Sequence, residues 1–300
     1  MSIVDKLKKG LNDPFLIKSF ALTKIYGLFT RKNFSGALGN RSDSDNGLYL
    51  ASIKKILSSQ RSFNNFKNDP IYQRILEHTT KEMGQNYLDI INRQTPSLLD
   101  SKLDSILRND EVGNAAKCNY EQIGSVSPST LYYTKIGSDL ETLFGGDIGK
   151  NIVEIGSGYG GQGLILDSIF HLDTITLFDL PLVNKLISKY LECFTLNSSY
   201  SVSTLNEATP QAYDLVISNY AFSELPKMIQ IKYIEKVLSN SARGYLIMNS
   251  GIGDDYKQIG NKLTLSELER LLPKFEVMEE NPLTAKNNYL IVWGHSASLK

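Results

Sequence analysis

The chain has 300 residues, 41% hydrophobic and 21% charged, the composition of ordinary globular protein forming one large domain or two small ones. Its 32 basic and 32 acidic side chains cancel, which gives no support for a general nucleic-acid binder. Cys118 and Cys193 are too few and too far apart for a disulfide framework, and no run approaches the ~20 apolar residues of a membrane span. Lys18 and Lys24 interrupt the best apolar candidate for a signal peptide, so a cytoplasmic location is expected.

Residues 1–34 carry seven basic and two acidic side chains, a balance of +5, interleaved with Phe15, Leu16, Phe20, Leu22, Ile25, Leu28 and Phe29. Such a segment suits a membrane surface or a partner, or a helix packed on its own domain with a solvated basic face. Residues 41–47 read as a polar loop. From 47 to 145 the pattern is helical. Tyr49, Leu50, Ile53, Ile56 and Leu57 share one face. Pro70 opens a second helix whose stripe is Ile71, Ile75, Leu76, Thr79 and Met83. Ser97 is the expected cap of a third, with Leu98, Leu99, Leu103, Ile106 and Leu107. His78 stands alone and reads as packing more readily than as catalysis. Residues 109–125 read as a linker, and Ser127-Pro-Ser-Thr opens a helix to about Phe144 that bears Tyr132 and Tyr133. The division expected is a helical cap over 1–125 and a second domain over 126–300.

That second domain begins with a strand, a glycine turn and a helix. Ile152, Val153 and Ile155 form an apolar run of the kind buried on both faces of a parallel sheet. Five glycines follow in the eight positions 156–163, then Leu164, Ile165, Leu166, Ile169 and Phe170 at helical spacing. Gly156, Gly158 and Gly161 satisfy G-x-G-x-x-G, which brings in a dinucleotide such as NAD. Two acids argue otherwise. Glu154, two residues before the first glycine, would repel a pyrophosphate and favour a cationic group. Asp179, at the end of the next apolar run (Ile175, Leu177, Phe178), suits both hydroxyls of a ribose. Close approach, an acid for a cation and an acid for a ribose together fit S-adenosylmethionine (SAM).

Strand and helix then alternate. Pro181 begins a helix with Leu182, Leu186, Ile187, Tyr190 and Leu191. Strands are expected at Tyr200–Ser203, Leu215–Ser218 and Tyr245–Met248, and helices at Leu225–Leu238 and Leu265–Leu272, the last capped by Thr264 with Glu267. Phe275–Met278 and Tyr289–Trp293 have no helix between them, which predicts an antiparallel end to a mostly parallel sheet. The fourth strand runs into Ser218, Asn219, Tyr220, Phe222, Ser223 and Glu224, and ligands of open α/β sheets lie beyond the carboxyl ends of strands. Methyl transfer from a sulfonium needs an acceptor held in line and a base for its proton. Glu224 is the expected base and Asn219 the orienting group, with Tyr159 or Tyr220 facing the cation. The alternatives for Glu224 are a helix-dipole acid or a sugar-hydroxyl ligand. No metal spacing stands out: Asp254 and Asp255 read as a turn, and His171 and His295 lack partners in sequence.

Glu154-Ile-Gly-Ser-Gly-Tyr-Gly resembles the first motif of class I SAM-dependent methyltransferases. Val153–Gln162, Phe178-Asp-Leu-Pro181, Ser218–Leu225 and Pro282-Leu-Thr…Val292-Trp-Gly294 more narrowly resemble the sugar O-methyltransferases of bacterial surface-polysaccharide clusters, over about 125–294. Ser157 departs from that pattern, where the family carries a third glycine. The resemblance implies an α/β, Rossmann-like class I sheet, mostly parallel with an antiparallel C-terminal hairpin, under a helical N-terminal cap. It implies a SAM site formed by Glu154, Gly156, Ser157, Gly158, Tyr159, Gly160, Gln162, Asp179, Leu180, Ser218, Asn219 and Tyr220, with Asn206 near the adenine and Tyr133 reaching in from the covering helix. The function expected is O-methylation of a sugar, with a small-molecule partner. Methylation of another small acceptor, an NAD-dependent oxidoreductase and a non-catalytic SAM-binding module remain the alternatives.

Overall fold

The computed structural model describes residues 47–77, 79–249 and 262–295. The basic segment 1–34, most of the 41–47 loop, His78, Asp254 and Asp255 lie outside the described residues.

The first described stretch is helical. The helices are α1 (Gly47–Ser58), α2 (Gln60–Phe63), α3 (Pro70–Ile75), α4 (Lys81–Gln94) and α5 (Pro96–Leu107). Pro70 sits in the first turn of α3 as expected, and Asp69 caps it by accepting from the N–H groups of Ile71 and Tyr72. The expected single stripe from Ile71 to Met83 is broken. Thr80 accepts from the Met83 N–H and so starts a new helix. Ser97 does not cap α5: Pro96 occupies the first turn and Thr95 stands at the cap position, its hydroxyl donating to Ile91 and Ser138 instead. The stretch read as a linker is structured. It holds a 3-10 turn at Arg108–Asp110 and a hairpin of β1 (Cys118–Tyr120) on β2 (Gly124–Val126). Asn109 and Asp110 are buried, because their side chains satisfy polar groups that the core would otherwise strand. Ser127 then caps α6 (Pro128–Phe144) through the Thr130 N–H.

Seven strands follow: β3 (Asn151–Ile155), β4 (Thr174–Phe178), β5 (Ser199–Ser203), β6 (Tyr213–Asn219), β7 (Ser241–Met248), β8 (Glu276–Glu279) and β9 (Tyr289–Trp293). Their order is β5-β4-β3-β6-β7-β9-β8. The first five of these are parallel, and β9 runs antiparallel to both β7 and β8, the antiparallel end that the paired runs predict. α7 (Gly161–Ile169) and α8 (Pro181–Leu191) link the strands of one half, and α9 (Ala221–Glu224), α10 (Lys227–Lys236) and α11 (Leu265–Leu271) follow β6 and β7. Strand residues alternate between two apolar layers. Ile152, Leu215, Ile217 and Tyr245 join the layer shared with α6, α7, α8 and the N-terminal helices. Val153, Val216, Leu246 and Trp293 join the layer of α10 and α11. This is a doubly wound α/β sandwich.

The helix expected at Leu225–Leu238 is shorter. It is α10, which starts at Lys227 behind Pro226, and the separate single turn α9 precedes it; Pro226 supplies no backbone N–H and so stands at the cap rather than inside a helix. The Thr264–Glu267 capping box is formed as read. At the amino ends of the central strands, the Asp214 carboxylate accepts from the N–H groups of Lys150 and Asn151 and pins the start of β3 to β6. From β3 the chain passes to β4 on one side, and from β6 to β7 on the other, so the crevice of the fold opens at the carboxyl ends of β3 and β6.

Candidate active site

The glycine turn fills one wall of that crevice. Gly156 and Gly158 hold φ of +80 and +59, a region closed to most side chains. A Cβ on Gly156 would stand 2.1 Å from the Ala221 Cβ, and one on Gly158 would meet the Leu76 side chain at 3.1 Å. The turn is therefore packed between the loop after β6 and the end of α3. Gly160 is left-handed as well and forms the N-cap of α7.

Glu154 lies at the end of β3, 3% exposed. Its Oε2 has no hydrogen-bond partner among the described residues. Burial, and then the charge of Asp179, push its carboxyl up to about 8, against a smaller pull from the Ser157 hydroxyl. Asp179 caps β4 and keeps part of its surface open. Its two oxygens accept from the N–H groups of Gly158 (3.0 Å) and Leu180 (2.7 Å). Burial pushes Asp179 up to about 6, and those backbone bonds limit the rise. Two carboxylates thus face one turn, and neither forms an ion pair among the described residues.

The second wall is the end of β6. Asn219 donates to Gln162 Oε1 at 3.4 Å, and Gln162 donates to the Tyr133 carbonyl, so α6, α7 and β6 are joined across the crevice. Asn219 Oδ1 is buried and unpartnered. Ser218, by contrast, is occupied: its hydroxyl donates to the Ile155 carbonyl and accepts from the Phe222 N–H. It fixes the geometry of the turn. Tyr220 has φ +66, and its hydroxyl goes to Glu280 and Thr284 in the β8–β9 loop. Glu224 ends the single turn α9, two residues before Pro226, the cap of α10. Its Oε1 accepts from Asn249 Nδ2 at 2.9 Å, and its charge reaches Lys262.

Tyr159 belongs to the turn by backbone only. Its ring is fully buried against the helical stretch, with the Lys67 ammonium 4.4 Å from the ring centroid and the hydroxyl bonded to Asn109. The cation it faces is a lysine of the protein itself. Lys67 is 1% exposed and donates to the Asn109 carbonyl. Burial lowers its pKa to about 8, opposed by the charges of Glu77 and Asp110. Tyr133 is buried 6.0 Å from Tyr159, and its hydroxyl feels both Glu77 and Glu154. Asn206 stands apart on the exposed turn after β5. His171 is exposed, and His295 lies 3.3 Å from Glu276. No group of metal-ligand type gathers among the described residues. Lys67, Tyr72, Glu77 and Asn109 escaped the sequence reading because no motif joins them: Lys67 and Asn109 are 42 positions apart.

No family model matches the chain, and no curated protein does. Solved structures do resemble it. The mitomycin 7-O-methyltransferase MmcR is 14% identical, with a TM-score of 0.40 over 75% of this chain and 70% of that one. NcsB1, an O-methyltransferase of neocarzinostatin biosynthesis solved with SAM and 2-hydroxy-5-methyl naphthoic acid, is 15% identical with a TM-score of 0.37, over 55% of this chain and 57% of its own. The bifunctional kinase-methyltransferase WbdD is 16% identical with a TM-score of 0.38, over 48% of this chain and 35% of its own.

Proposed function

We propose that this chain is a SAM-dependent O-methyltransferase acting on a small hydroxylated acceptor, a sugar. The observation that carries this reading is Glu154: a buried carboxylate with an unpartnered oxygen, beside a glycine turn, one strand from a second carboxylate. An acid so placed favours a ligand that brings its own positive charge, and the α-ammonium and sulfonium of SAM supply it. A pyrophosphate brings no positive charge to offset either acid, which disfavours NAD. Asp179 suits the ribose, and the Gly156–Gly161 backbone suits close approach. When bound, the cofactor supplies a methyl group on a cationic sulfur.

The chain's own residues then hold an acceptor oxygen and take its proton. Asn219, with a free buried oxygen at the end of β6, orients the acceptor. Glu224, anchored by Asn249, is the base. The sugar acceptor rests on the resemblance of residues 178–181, 218–225 and 282–294 to sugar O-methyltransferases. A cytoplasmic setting belongs to the same reading, and no helix among the described residues is long and apolar enough to cross a membrane.

Calorimetry with SAM, S-adenosylhomocysteine and NAD tests the cofactor. Binding of the first two alone is expected, and NAD binding alone would overturn the reading. A screen of nucleotide sugars by mass spectrometry tests the acceptor, expecting a gain of one methyl group. SAM binding without turnover on any hydroxylated acceptor would favour a binding module.

A further inference from the structure

Tyr72 is a fully buried tyrosine on α3 whose hydroxyl has no hydrogen-bond partner among the described residues. Buried polar groups are nearly always paired, so a stranded hydroxyl calls for an explanation. Its ring is held firmly, edge-on to Phe66 at 5.2 Å and stacked with Tyr49 at 6.3 Å. The hydroxyl is therefore aimed, not loose. The titratable groups that reach it are Tyr49 and Tyr133, both neutral, and the acids Glu77 and Asp179. Four residues on, Leu76 lies against Gly158, whose N–H is bonded to Asp179. The end of α3 thus sits over the glycine turn on the Asp179 side.

Among the described tyrosines only one other hydroxyl is buried and unpartnered, that of Tyr132. Its electrostatic neighbours include Tyr220, Tyr245 and Glu280, which belong to the β6 side of the crevice, and Tyr87 of α4. Among the described residues, Tyr72 is the one stranded tyrosine hydroxyl on the side of the acid after β4. The acids that reach it, Glu77 and Asp179, disfavour a carboxylate or phosphate as its ligand and favour a neutral hydroxyl; Lys67, the buried cation of the same cluster, is taken up by the Tyr159 ring and the Asn109 carbonyl.

Building on the proposed function, we infer that Tyr72 is a cofactor ligand supplied by the helical N-terminal stretch, its hydroxyl bonding a ribose hydroxyl of the adenosyl group opposite Asp179. The cofactor site is then completed by a residue more than 80 positions before the glycine turn.

Tyr72→Phe removes one oxygen and keeps the ring. Calorimetry of full-length protein should show the Kd for S-adenosylhomocysteine rising about fivefold to tenfold, the size of one neutral hydrogen bond. The ligand-free Tm should stay level or rise, because no partner inside the fold is lost. S-adenosylhomocysteine analogues lacking the 2′ or the 3′ hydroxyl complete the test: one of them should bind parent and variant equally. A Kd within twofold of the parent overturns the inference while leaving the proposed function standing. A ligand-free Tm several degrees below the parent also overturns it, since the hydroxyl would then have an internal partner. Failure of the parent itself to bind SAM or S-adenosylhomocysteine removes both.

Discussion

Glu154→Gln keeps the shape of the side chain and removes its titration. In the folded chain this carboxyl is pushed from 4.5 up to about 8, by burial first and by Asp179 second. The folded protein therefore holds a proton that the unfolded chain releases between those values. The sign follows: as far as this group is concerned, stability is greatest at low pH and falls as pH rises toward 8. From pH 5 to pH 7 the loss is two units at ~1.36 kcal/mol each, roughly 3 kcal/mol. With 300 residues and an unfolding entropy of ~2.1 cal/mol/K per residue, that is a fall of about 4 °C in Tm. The variant should lack this fall. Asp179, pushed up to about 6, adds its own slope to both proteins, so the difference between them isolates Glu154. A cation bound beside Glu154 should draw the proton off. SAM affinity of the parent should thus rise between pH 6 and 8 with measurable proton release, while the variant binds more weakly and with little pH dependence. Scanning calorimetry across pH 5–8 reads the first effect, and titration calorimetry in two buffers of different ionisation enthalpy reads the second. Equal Tm slopes in parent and variant, together with binding that releases no proton, would refute the reasoning.

Glu224→Gln should lower kcat by ~10²–10⁴ with SAM affinity unchanged, and a kcat within about threefold of the parent would remove the base assignment. A rise in acceptor KM larger than the fall in kcat would make Glu224 a sugar ligand instead. Gly156→Ala places a Cβ 2.1 Å from that of Ala221 at a positive φ, so it should lower stability by roughly 1–3 kcal/mol and weaken SAM binding; a variant with the parent's Tm would show that the turn yields. Asp179→Ala should abolish SAM binding and lower Tm, because the Gly158 and Leu180 N–H groups lose their acceptor. Asp179→Asn should recover much of the Tm but little of the affinity, and full recovery of binding would show that charge at this position is unimportant.

The sheet was largely legible in the chain because its signals are local. Apolar runs such as Ile152–Ile155 and the paired runs near the C-terminus, with no helix between them, gave the strands and their antiparallel end. The glycine turn and its two acids were legible for the same reason. Punctuation by single residues was harder: Thr80 splits a stripe whose spacing alone looked continuous, and Pro226 holds back the start of a helix by two residues. The helical stretch shows its helices in the sequence but not its chemistry. Its contributions depend on pairs such as Lys67 with Tyr159, which only the folded chain brings together. Tyr159 shows the limit well. A ring beside a SAM motif suggests a sulfonium partner, yet the ring turns inward to a lysine that sequence spacing could not place.

Under the proposed function, the link between Tyr159 and Asn109 bears on how a new acceptor could be taken up. Exchange of whole caps between relatives is an attractive route to altered specificity, with the seam near residue 125. Here that seam would cut an inventory shared by both pieces. Tyr159 and Tyr190 rely on Asn109, and α6 is capped within reach of Asp110. A chimera built at 125 with a foreign cap would leave two tyrosine hydroxyls and the Ser127–Thr130 pair without their partners, and the glycine turn without its brace. Grafts that retain Phe66, Lys67, Tyr72, Asn109 and Asp110, and vary only the surface around them, should keep the proposed cofactor binding while the acceptor changes.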